Sequence, residues 1–205
     1  MTFKNVSVVC EGQTEVDFVK KLNKRYFNAK GISLKPAFIN KTNAMNGNVS
    51  MDRVVSFIKK AKEIIVTTFI DYYGFKGETG KSYVELENKI TELSQREHLI
   101  AYVQLHETEA LWFSDIEAIK IVKDADRKQK QALDKIIKDY PNPEDINNSK
   151  ETAPSKRLEA IFPDYKKIID GNAIADKISI DKMKEKCPHF SDWLERIEKE
   201  VDLFR

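Results

Sequence analysis

The stretch S-V-V-C-E-G-Q-T-E, residues 7–15, contains the pattern from which the fold can be predicted outward. Together with Val6, its valines predict a short buried strand. Glu11 and Gly12 follow where that strand would end, and a helical pattern begins after them. A strand that leads through a short turn into a helix is the first part of a β–α–β unit. We therefore predict an α/β protein with a parallel sheet.

The two glutamates of this stretch have different predicted positions. Glu11 lies at the carboxyl end of the strand. Thr14 has the chemistry of an N-cap and Asp17 stands in the capping-box position, so Glu15 falls in the first turn of a helix. Open α/β sheets bind ligands in the crevice at this edge, where carboxylates beside a glycine suit a metal ion or a phosphoryl group. The alternative interpretation is a solvated loop and a favourable charge at a helix N-terminus.

The alternation of strands and helices continues through the first half of the chain. L-K-P-A-F-I, residues 34–39, predicts a second strand whose Pro36 favours an edge position or a strand start. I-I-V-T-T-F-I, residues 64–70, is continuously apolar and β-branched, which predicts a parallel strand covered on both faces. The same pattern predicts a fourth strand at residues 98–105. It also predicts three helices, at residues 14–28, 51–62 and 82–95. We therefore expect a three-layer parallel sheet of about four strands.

The character of the sequence changes after Ser114. The remainder is predicted to be helical, apart from a turn-rich segment at residues 141–154. Its C-terminal part has an apolar stripe that consists of Trp193, Leu194, Ile197, Val201 and Leu203. We predict an α/β core over residues 1–115 and a helical extension packed on it over residues 116–205. Docking on the core is the predicted use of the stripe, and a partner surface is the alternative.

The composition excludes several classes of protein. The net charge is +2 over 205 residues, so the protein lacks the strongly basic overall charge that indicates nucleic-acid binding. The two cysteines are far apart and suggest neither a disulfide framework nor a zinc site. No apolar run is long enough to span a bilayer, and no signal-peptide pattern is present at the N-terminus. We therefore expect a cytoplasmic protein with no membrane partner.

Acidic residues follow three of the predicted strands. Glu11 follows the first strand, Asp71 the third, and Glu107 and Glu109 the fourth. Because the carboxyl ends of parallel strands share one edge, these side chains are expected to converge. Carboxylates are ligands that Mg²⁺ and Mn²⁺ prefer, and acids that gather without a cation repel one another. The sequence therefore predicts a metal site, with helix capping or ion pairing as the alternative roles.

One histidine adjoins the predicted acidic cluster. His106 directly precedes Glu107 in the sequence. An imidazole in that position can be a metal ligand, a proton donor to a leaving group, or a packed side chain at a strand end.

Three cations are candidates for binding phosphate groups. Lys81 lies in G-E-T-G-K-S, residues 77–82, which is not expected to bind a nucleotide because a P-loop needs four residues between its glycines. Lys156 and Arg157 open a predicted helix after Pro154, where backbone amides and two cations favour an anion. A capped surface helix is the alternative interpretation of that segment.

Several runs of the sequence resemble the signatures of a bacterial domain-of-unknown-function family that is placed among the Toprim-like proteins. In order, they are E-G-Q-T-E, F-I-D-Y-Y-G, Y-V-Q-L-H-E-T-E-A-L-W-F-S-D, N-P-E-D-I-N with T-A-P-S-K-R, and C-P-H-F-S-D-W-L. The runs H-E-x-E-A-L and T-A-P-S-K-R are the most specific, and the match extends over nearly the whole chain. The resemblance implies a Toprim-like fold related to nucleases of the overcoming-lysogeny-defect type.

The resemblance also implies roles for particular residues. Toprim domains bind magnesium with a glutamate after the first strand and an Asp-x-Asp after the third, and they carry out phosphodiester chemistry. Glu11 matches the glutamate and Asp71 matches the first aspartate, whereas Tyr73 stands where the second aspartate is expected. Glu107 or Glu109 is then the hypothetical substitute for the missing ligand.

Two functions from different classes are therefore predicted. The first is an Mg²⁺- or Mn²⁺-dependent enzyme that cuts or transfers nucleic-acid phosphodiesters, in phage defence or DNA maintenance. Its predicted catalytic residues are Glu11, Glu15 and His106, its metal ligands are Glu11, Asp71, Glu107 and Glu109, and its phosphate-binding residues are Lys81, Lys156 and Arg157. The alternative is a non-catalytic Toprim-like module that binds an ATPase partner. A third interpretation is a small-molecule phosphohydrolase that uses the same acids.

Overall fold

The computed structural model describes residues 4–39, 49–78, 80–147 and 149–204, without the side chain of Lys150. As far as these residues are described, the chain forms two compact units. The first unit comprises Met1–Gln104 together with Asp192–Arg205, and the second comprises Leu105–Ser191.

The regular elements of the described residues follow the predicted order. The strands are β1 (Lys4–Cys10), β2 (Ile32–Phe38), β3 (Ile65–Asp71), β4 (Leu99–Ile100) and β5 (Val103–Gln104). The helices are α1 (Gln13–Leu22), α2 (Met51–Lys60), α3 (Tyr83–Ser94), α4 (Ile116–Val122), α5 (Arg127–Asp139), α6 (Pro154–Ile161), α7 (Lys167–Lys177), α8 (Ile180–Lys186) and α9 (Pro188–Asp202). Short 3₁₀ segments at Tyr72–Gly74 and Thr108–Asp115 bear on the site.

The sheet of the first unit is parallel. Its order is β2-β1-β3-β4, and β5 pairs with β3 beyond the end of β4. This arrangement confirms the predicted α/β class with a parallel sheet. Pro36 lies in β2, at one end of the described order, where the missing N–H of proline does not interrupt a central ladder.

The predicted fourth strand is divided into β4 and β5. Both halves keep one register with β3, but the backbone between them is bonded to threonine side chains. The Thr67 hydroxyl donates to the carbonyl oxygen of Ile100 at 2.6 Å. Thr68 Oγ1 donates to the carbonyl oxygen of Tyr102 at 2.7 Å and accepts from its N–H at 2.8 Å. The strand is therefore interrupted because hydroxyl groups take the place of ladder partners.

One face of the sheet packs against α2 and α3. Val54 and Ile58 of α2 and Leu86 and Ile90 of α3 belong to one buried cluster with strand residues such as Val66. The apolar positions of both helices recur at helical spacing, so each helix buries one stripe on the sheet. Hydrophobic burial on this face is the main stabilising contribution of these helices.

The other face carries an aromatic cluster that includes α9. Phe69 of β3 lies 5.5 Å from Phe18 of α1 and 5.2 Å from Trp193 of α9, measured between ring centroids. Trp193 stacks on Tyr102 at 4.7 Å, and its indole N–H donates to Thr67 Oγ1 at 2.7 Å. Because alternate side chains of β3 point to opposite faces, helices cover both faces of the sheet, which is consistent with three layers.

The C-terminal stripe is buried within the first unit. Trp193, Leu194, Ile197 and Val201 have no exposed side-chain surface, whereas Leu203 is 72% exposed and does not belong to the buried stripe. The second unit begins at Leu105, not after residue 115 as the predicted core boundary has it, and α9 joins the first unit from Asp192 onward. The aromatic packing of Trp193 is the physical reason for that assignment.

Candidate functional site

The turn after β1 holds two buried carboxylates. Glu11 is 7% exposed and Glu15 is 5% exposed. Helix α1 begins at Gln13 with Gly12 as its N-cap in an extended conformation, so the prediction of Thr14 as the N-cap is wrong. A Cβ atom on Gly12 would lie 2.7 Å from Oε2 of Glu15, so the missing side chain of Gly12 makes room for that carboxylate.

The charge of Glu15 also affects the end of β1. Burial raises the pKa of the Cys10 thiol well above its usual value, and the negative charge of Glu15 raises it further. The thiol is therefore protonated and unreactive at neutral pH.

The end of β3 contributes the third buried carboxylate. Asp71 is 8% exposed and is followed directly by the 3₁₀ turn Tyr72–Gly74. A Cβ atom on Gly74 would lie 1.7 Å from Oε2 and 2.6 Å from the carboxyl carbon of Glu11. The carboxylate of Glu11 therefore rests against the turn that leaves Asp71, and only glycine fits at position 74.

The pairing of β1 with β3 places these acids on one edge. The last pair of this ladder is Cys10 with Phe69, so Glu11 follows it by one residue and Asp71 by two. Glu11 and Asp71 therefore lie at the carboxyl ends of two adjacent parallel strands, and Glu15 lies in the first turn of α1. Among the residues that the structure describes, no group of three or more His, Cys, Asp or Glu side chains is arranged so that it could hold a metal ion.

The loop that contains Lys81 is closed by its own side chains. Lys81 Nζ lies 2.7 Å from Glu78 Oε2, and Lys89 of α3 pairs with the same carboxylate at 2.5 Å. The start of α3 is a capping box, in which Ser82 and Glu85 each accept a backbone N–H of the other. A phosphate at this helix start would have to displace the carboxylate of Glu85, which agrees with the expectation that the loop is not a P-loop.

In the second unit, His106 is half-buried in a left-handed backbone conformation with φ of 64°. Burial lowers the pKa of His106, against the charges of Asp145 and Glu107 and a hydrogen bond with the backbone of Glu144. Its imidazole is therefore neutral at pH 7 and can accept a proton. A non-glycine residue in this conformation is strained, and the contacts around it must hold it there.

Glu107 lies at the start of helix α6. The backbone N–H of Ser155 donates to Oε2 of Glu107 at 2.9 Å, so this carboxylate occupies the anion position at the helix N-terminus. The two predicted phosphate ligands beside it also have partners in the chain. Lys156 pairs with Glu159 at 2.7 Å. Arg157 donates to the carbonyl oxygen of Thr152 at 2.8 Å, and its guanidinium lies 4.9 Å from the ring centroid of Tyr140.

Glu109 is fully buried in the second unit. Its Oε2 lies 3.1 Å from Nζ of Lys167, whose side chain is 41% exposed. Burial raises the pKa of Glu109 to about 7, although the positive charge of Lys167 acts in the opposite direction. Burial raises the pKa of the Tyr165 phenol, and the negative charge of Glu109 raises it further. Burial therefore outweighs the attraction of Lys167, and the folded protein favours the protonated form of Glu109.

Glu144, in the run N-P-E-D-I-N, makes a structural contact that the sequence did not reveal. Its two carboxylate oxygens accept the backbone N–H groups of His189 and Phe190, each at 2.9 Å. These groups belong to the first turn of α9, so Glu144 caps that helix from a distant part of the chain. The run C-P-H-F contains both donors, but nothing in either run alone indicates that they meet.

The comparisons with known proteins identify a family. A family model described as Domain of unknown function (DUF4276) matches residues 10–198. The chain belongs to this family. The match spans the acids of the first unit and those of the second, so both sets are part of the DUF4276 domain. No curated protein and no solved structure matches the chain. Among the described residues, no helix has both the length and the apolar character needed to cross a bilayer.

Proposed function

We propose that this DUF4276 protein is a metal-dependent phosphodiester hydrolase or transferase that acts on nucleic acid with Toprim-like chemistry. The observation that supports this proposal is the burial of Glu11, Glu15 and Asp71 at the carboxyl ends of adjacent parallel strands. Carboxylates of low exposure that approach one another repel, and a bound cation would offset that repulsion. Ligand sites of open α/β sheets lie at this edge.

The residues present fit a hard divalent cation. Mg²⁺ is commonly bound by one or two carboxylates, and waters and substrate phosphates complete its coordination. Glu11 and Asp71 would supply those carboxylates, with Mn²⁺ as an alternative ion. When bound, the ion would polarise the scissile phosphate and lower the pKa of a water molecule. Glu107 and Glu109 are left out of this proposed ligand set, because Glu107 already accepts a backbone N–H at the start of α6 and Glu109 faces Lys167 in the second unit.

The other proposed roles concern protons and phosphates. Glu15 has a position from which it could accept a proton from water, since it shares the edge with Glu11. His106 is a second candidate, because its neutral imidazole can accept a proton. Lys81, Lys156 and Arg157 are proposed to attract the nucleic-acid backbone in exchange for their present partners in the chain.

The alternative function is a Toprim-like module without catalytic activity that binds an ATPase. Tyr73 favours this alternative, because it stands where the Toprim-like relationship would require the second metal-binding aspartate. The C-terminal stripe does not favour it, since the stripe is buried within the first unit. The two functions differ in whether a divalent ion binds to the protein and supports turnover.

A nuclease assay with matched variants tests the proposal. We expect Mg²⁺- or Mn²⁺-dependent cleavage of DNA or RNA oligonucleotides by the wild type and a loss of at least about 100-fold in Glu11→Gln/Asp71→Asn. The control Asp52→Asn/Glu92→Gln changes two exposed carboxylates of the same unit and should keep full activity. Calorimetric titration with Mn²⁺ should show binding to the wild type and the control, but not to the site variant.

Two results would contradict the enzyme proposal. One is undiminished cleavage by Glu11→Gln/Asp71→Asn. The other is an absence of Mn²⁺ binding and cleavage in the wild type, together with a stable complex with an ATPase, which would support the alternative function.

A further inference from the structure

Helix α5 of the second unit concentrates positive charge. Between Arg127 and Asp139 it has five cations and two acids, a net charge of +3, whereas the whole chain has a net charge of +2. The rest of the chain is therefore close to neutral. A protein with no strongly basic overall charge thus has a positive field at one helix.

Most of these cations lie on the side of α5 that the fold leaves exposed. Leu133 is fully buried, Ile136 is half-buried, and the amide of Gln129 donates to the carbonyl oxygen of Ile161 at the end of α6 at 3.1 Å. At 3.6 residues per turn, four exposed cations fall within about 100° of one another on the side opposite Leu133. These residues, which we call the cationic face, are Arg127, Lys128, Lys135 and Lys138.

The acids that flank the cationic face are already paired with lysines. Asp134 lies 2.6 Å from Nζ of Lys120 in α4, and Asp139 lies 2.5 Å from Nζ of Lys135. The other cations of this face have no ion-pair partner in the described part of the chain, namely Arg127, Lys128 and Lys138. Three positive charges are therefore available to an anionic ligand without the loss of an internal ion pair.

We propose that the cationic face of α5 binds the phosphate backbone of nucleic acid. This inference rests on the proposed function for its ligand class and adds a binding surface in the second unit. Arg127 and Lys138 are separated by about 16 Å along the helix axis. That length matches roughly five phosphates of one B-DNA strand, which follow one another every 3.4 Å or so. Contacts to phosphates carry no base information, so this binding is independent of sequence.

An anionic membrane surface is the other polyanion that a cationic helix can meet. Helices that lie on membranes insert an apolar face below their cations. In α5 the apolar residue Leu133 is buried within the unit, and the residue between the cations is the polar, uncharged Gln131. The cationic face therefore fits a nucleic-acid backbone better than a lipid surface.

A triple variant of the full chain tests this inference. Arg127→Gln/Lys128→Gln/Lys138→Gln removes three charges and keeps residues that favour a helix. Binding to duplex DNA and to single-stranded RNA is measured by fluorescence anisotropy in EDTA, where no metal-dependent cleavage occurs, at several salt concentrations. We expect duplex binding to weaken at least about tenfold at low salt. The slope of log K against log salt should become shallower by about 2 to 3, because each phosphate contact contributes about 0.9 to it.

A second triple variant is the matched control. Lys166→Gln/Lys177→Gln/Lys186→Gln removes three exposed lysines from other segments of the second unit and changes the net charge equally. Its affinity should stay within about twofold of the wild type, because cations that contact no phosphate release no counterions. Circular dichroism and thermal melting show whether each variant is folded.

The outcomes separate this inference from the proposed function. An unchanged affinity and salt slope in the folded α5 variant, an equal loss in the control, or a wild type that binds no oligonucleotide overturns the inference. It is also overturned if the α5 variant loses binding to phosphatidylserine vesicles but keeps its binding to oligonucleotides. A loss of oligonucleotide binding specific to the α5 variant supports the inference even where no cleavage occurs, and then only the enzymatic proposal fails.

Discussion

The two units of this DUF4276 protein both contain buried glutamates, but the surroundings of the carboxylates differ between the units. In the first unit, Glu11 and Glu15 lie against glycines at the carboxyl edge of a parallel sheet. In the second unit, Glu107 and Glu144 accept backbone N–H groups at the starts of helices, and Glu109 faces Lys167.

The difference indicates two separate roles for acidic side chains in this fold. A glutamate that caps a distant helix ties two segments of the fold together, and its role is complete without a ligand. Gly12 and Gly74 leave room for the carboxylates of Glu15 and Glu11 at the sheet edge where open α/β proteins bind ligands. The contrast predicts that variants of the first set lose activity, whereas variants of the second set lose stability.

The largest expected effect comes from adding a single methyl group at Gly74. Gly74→Ala would bring a Cβ atom within 1.7 Å of Oε2 of Glu11, so the carboxylate must move. We expect metal-dependent cleavage to fall at least about 100-fold, because a displacement of about 1 Å at a catalytic group has an effect of that size. The measurement is kcat/KM on a single-stranded oligonucleotide, with thermal melting as a check of folding.

Gly171→Ala is the matched control for this change. Gly171 lies in α7 of the second unit, where a Cβ atom would meet only ordinary contacts with Trp112 and Tyr165 at 3.4 Å. Its activity should equal that of the wild type. A Gly74→Ala protein with wild-type kcat/KM would remove Glu11 from the catalytic proposal.

The second effect concerns the pH dependence of stability through Glu109. Its pKa is raised to about 7 in the folded protein from an ordinary value of about 4.5, so the folded state favours the protonated form. The stability that protonation contributes is fully present below about pH 4.5 and is lost as the pH rises through about 7. Relative to Glu109→Gln, the wild type should lose at most about 3 kcal/mol of unfolding free energy over this interval.

Urea unfolding of both proteins across that pH range measures the difference. Glu185→Gln changes a carboxylate of the second unit that is 67% exposed, and its stability should run parallel to that of the wild type. A constant difference between wild type and Glu109→Gln would mean that Glu109 titrates normally in the folded protein.

A smaller effect is expected from removing the cap of α9. Glu144→Ala would leave the N–H groups of His189 and Phe190 without their carboxylate partner, which should lower the unfolding free energy by about 2 kcal/mol. Burial raises the pKa of Glu144, and the cost of burying its charge limits how much this cap stabilises the fold. Asp145→Ala, at an exposed neighbour, should change stability far less. Below the melting temperature, both variants should cleave as the wild type does. A selective loss of cleavage in Glu144→Ala would contradict the prediction that variants of the second unit lose only stability.

The predicted features that the structure reproduces depend on local pattern. The apolar run at residues 64–70 indicated a covered parallel strand, and Pro36 indicated an edge strand, because each follows from the residues of one short segment. Local pattern also failed where a competing local contact exists. Thr14 is a better N-cap than glycine by type, yet α1 begins after Gly12 because the chain turns there to place Glu15 over the glycine.

The sequence by itself determined the order of strands and helices and the positions of Glu11 and Asp71 at strand ends, since alternation and periodicity act over a few residues. Only the tertiary structure decided which acids cap helices, that α9 joins the sheet through Trp193, and that Gly74 makes room for Glu11. These are contacts between residues far apart in the chain. They depend on strand register and helix docking, which the free energy of the whole fold sets and no short segment encodes.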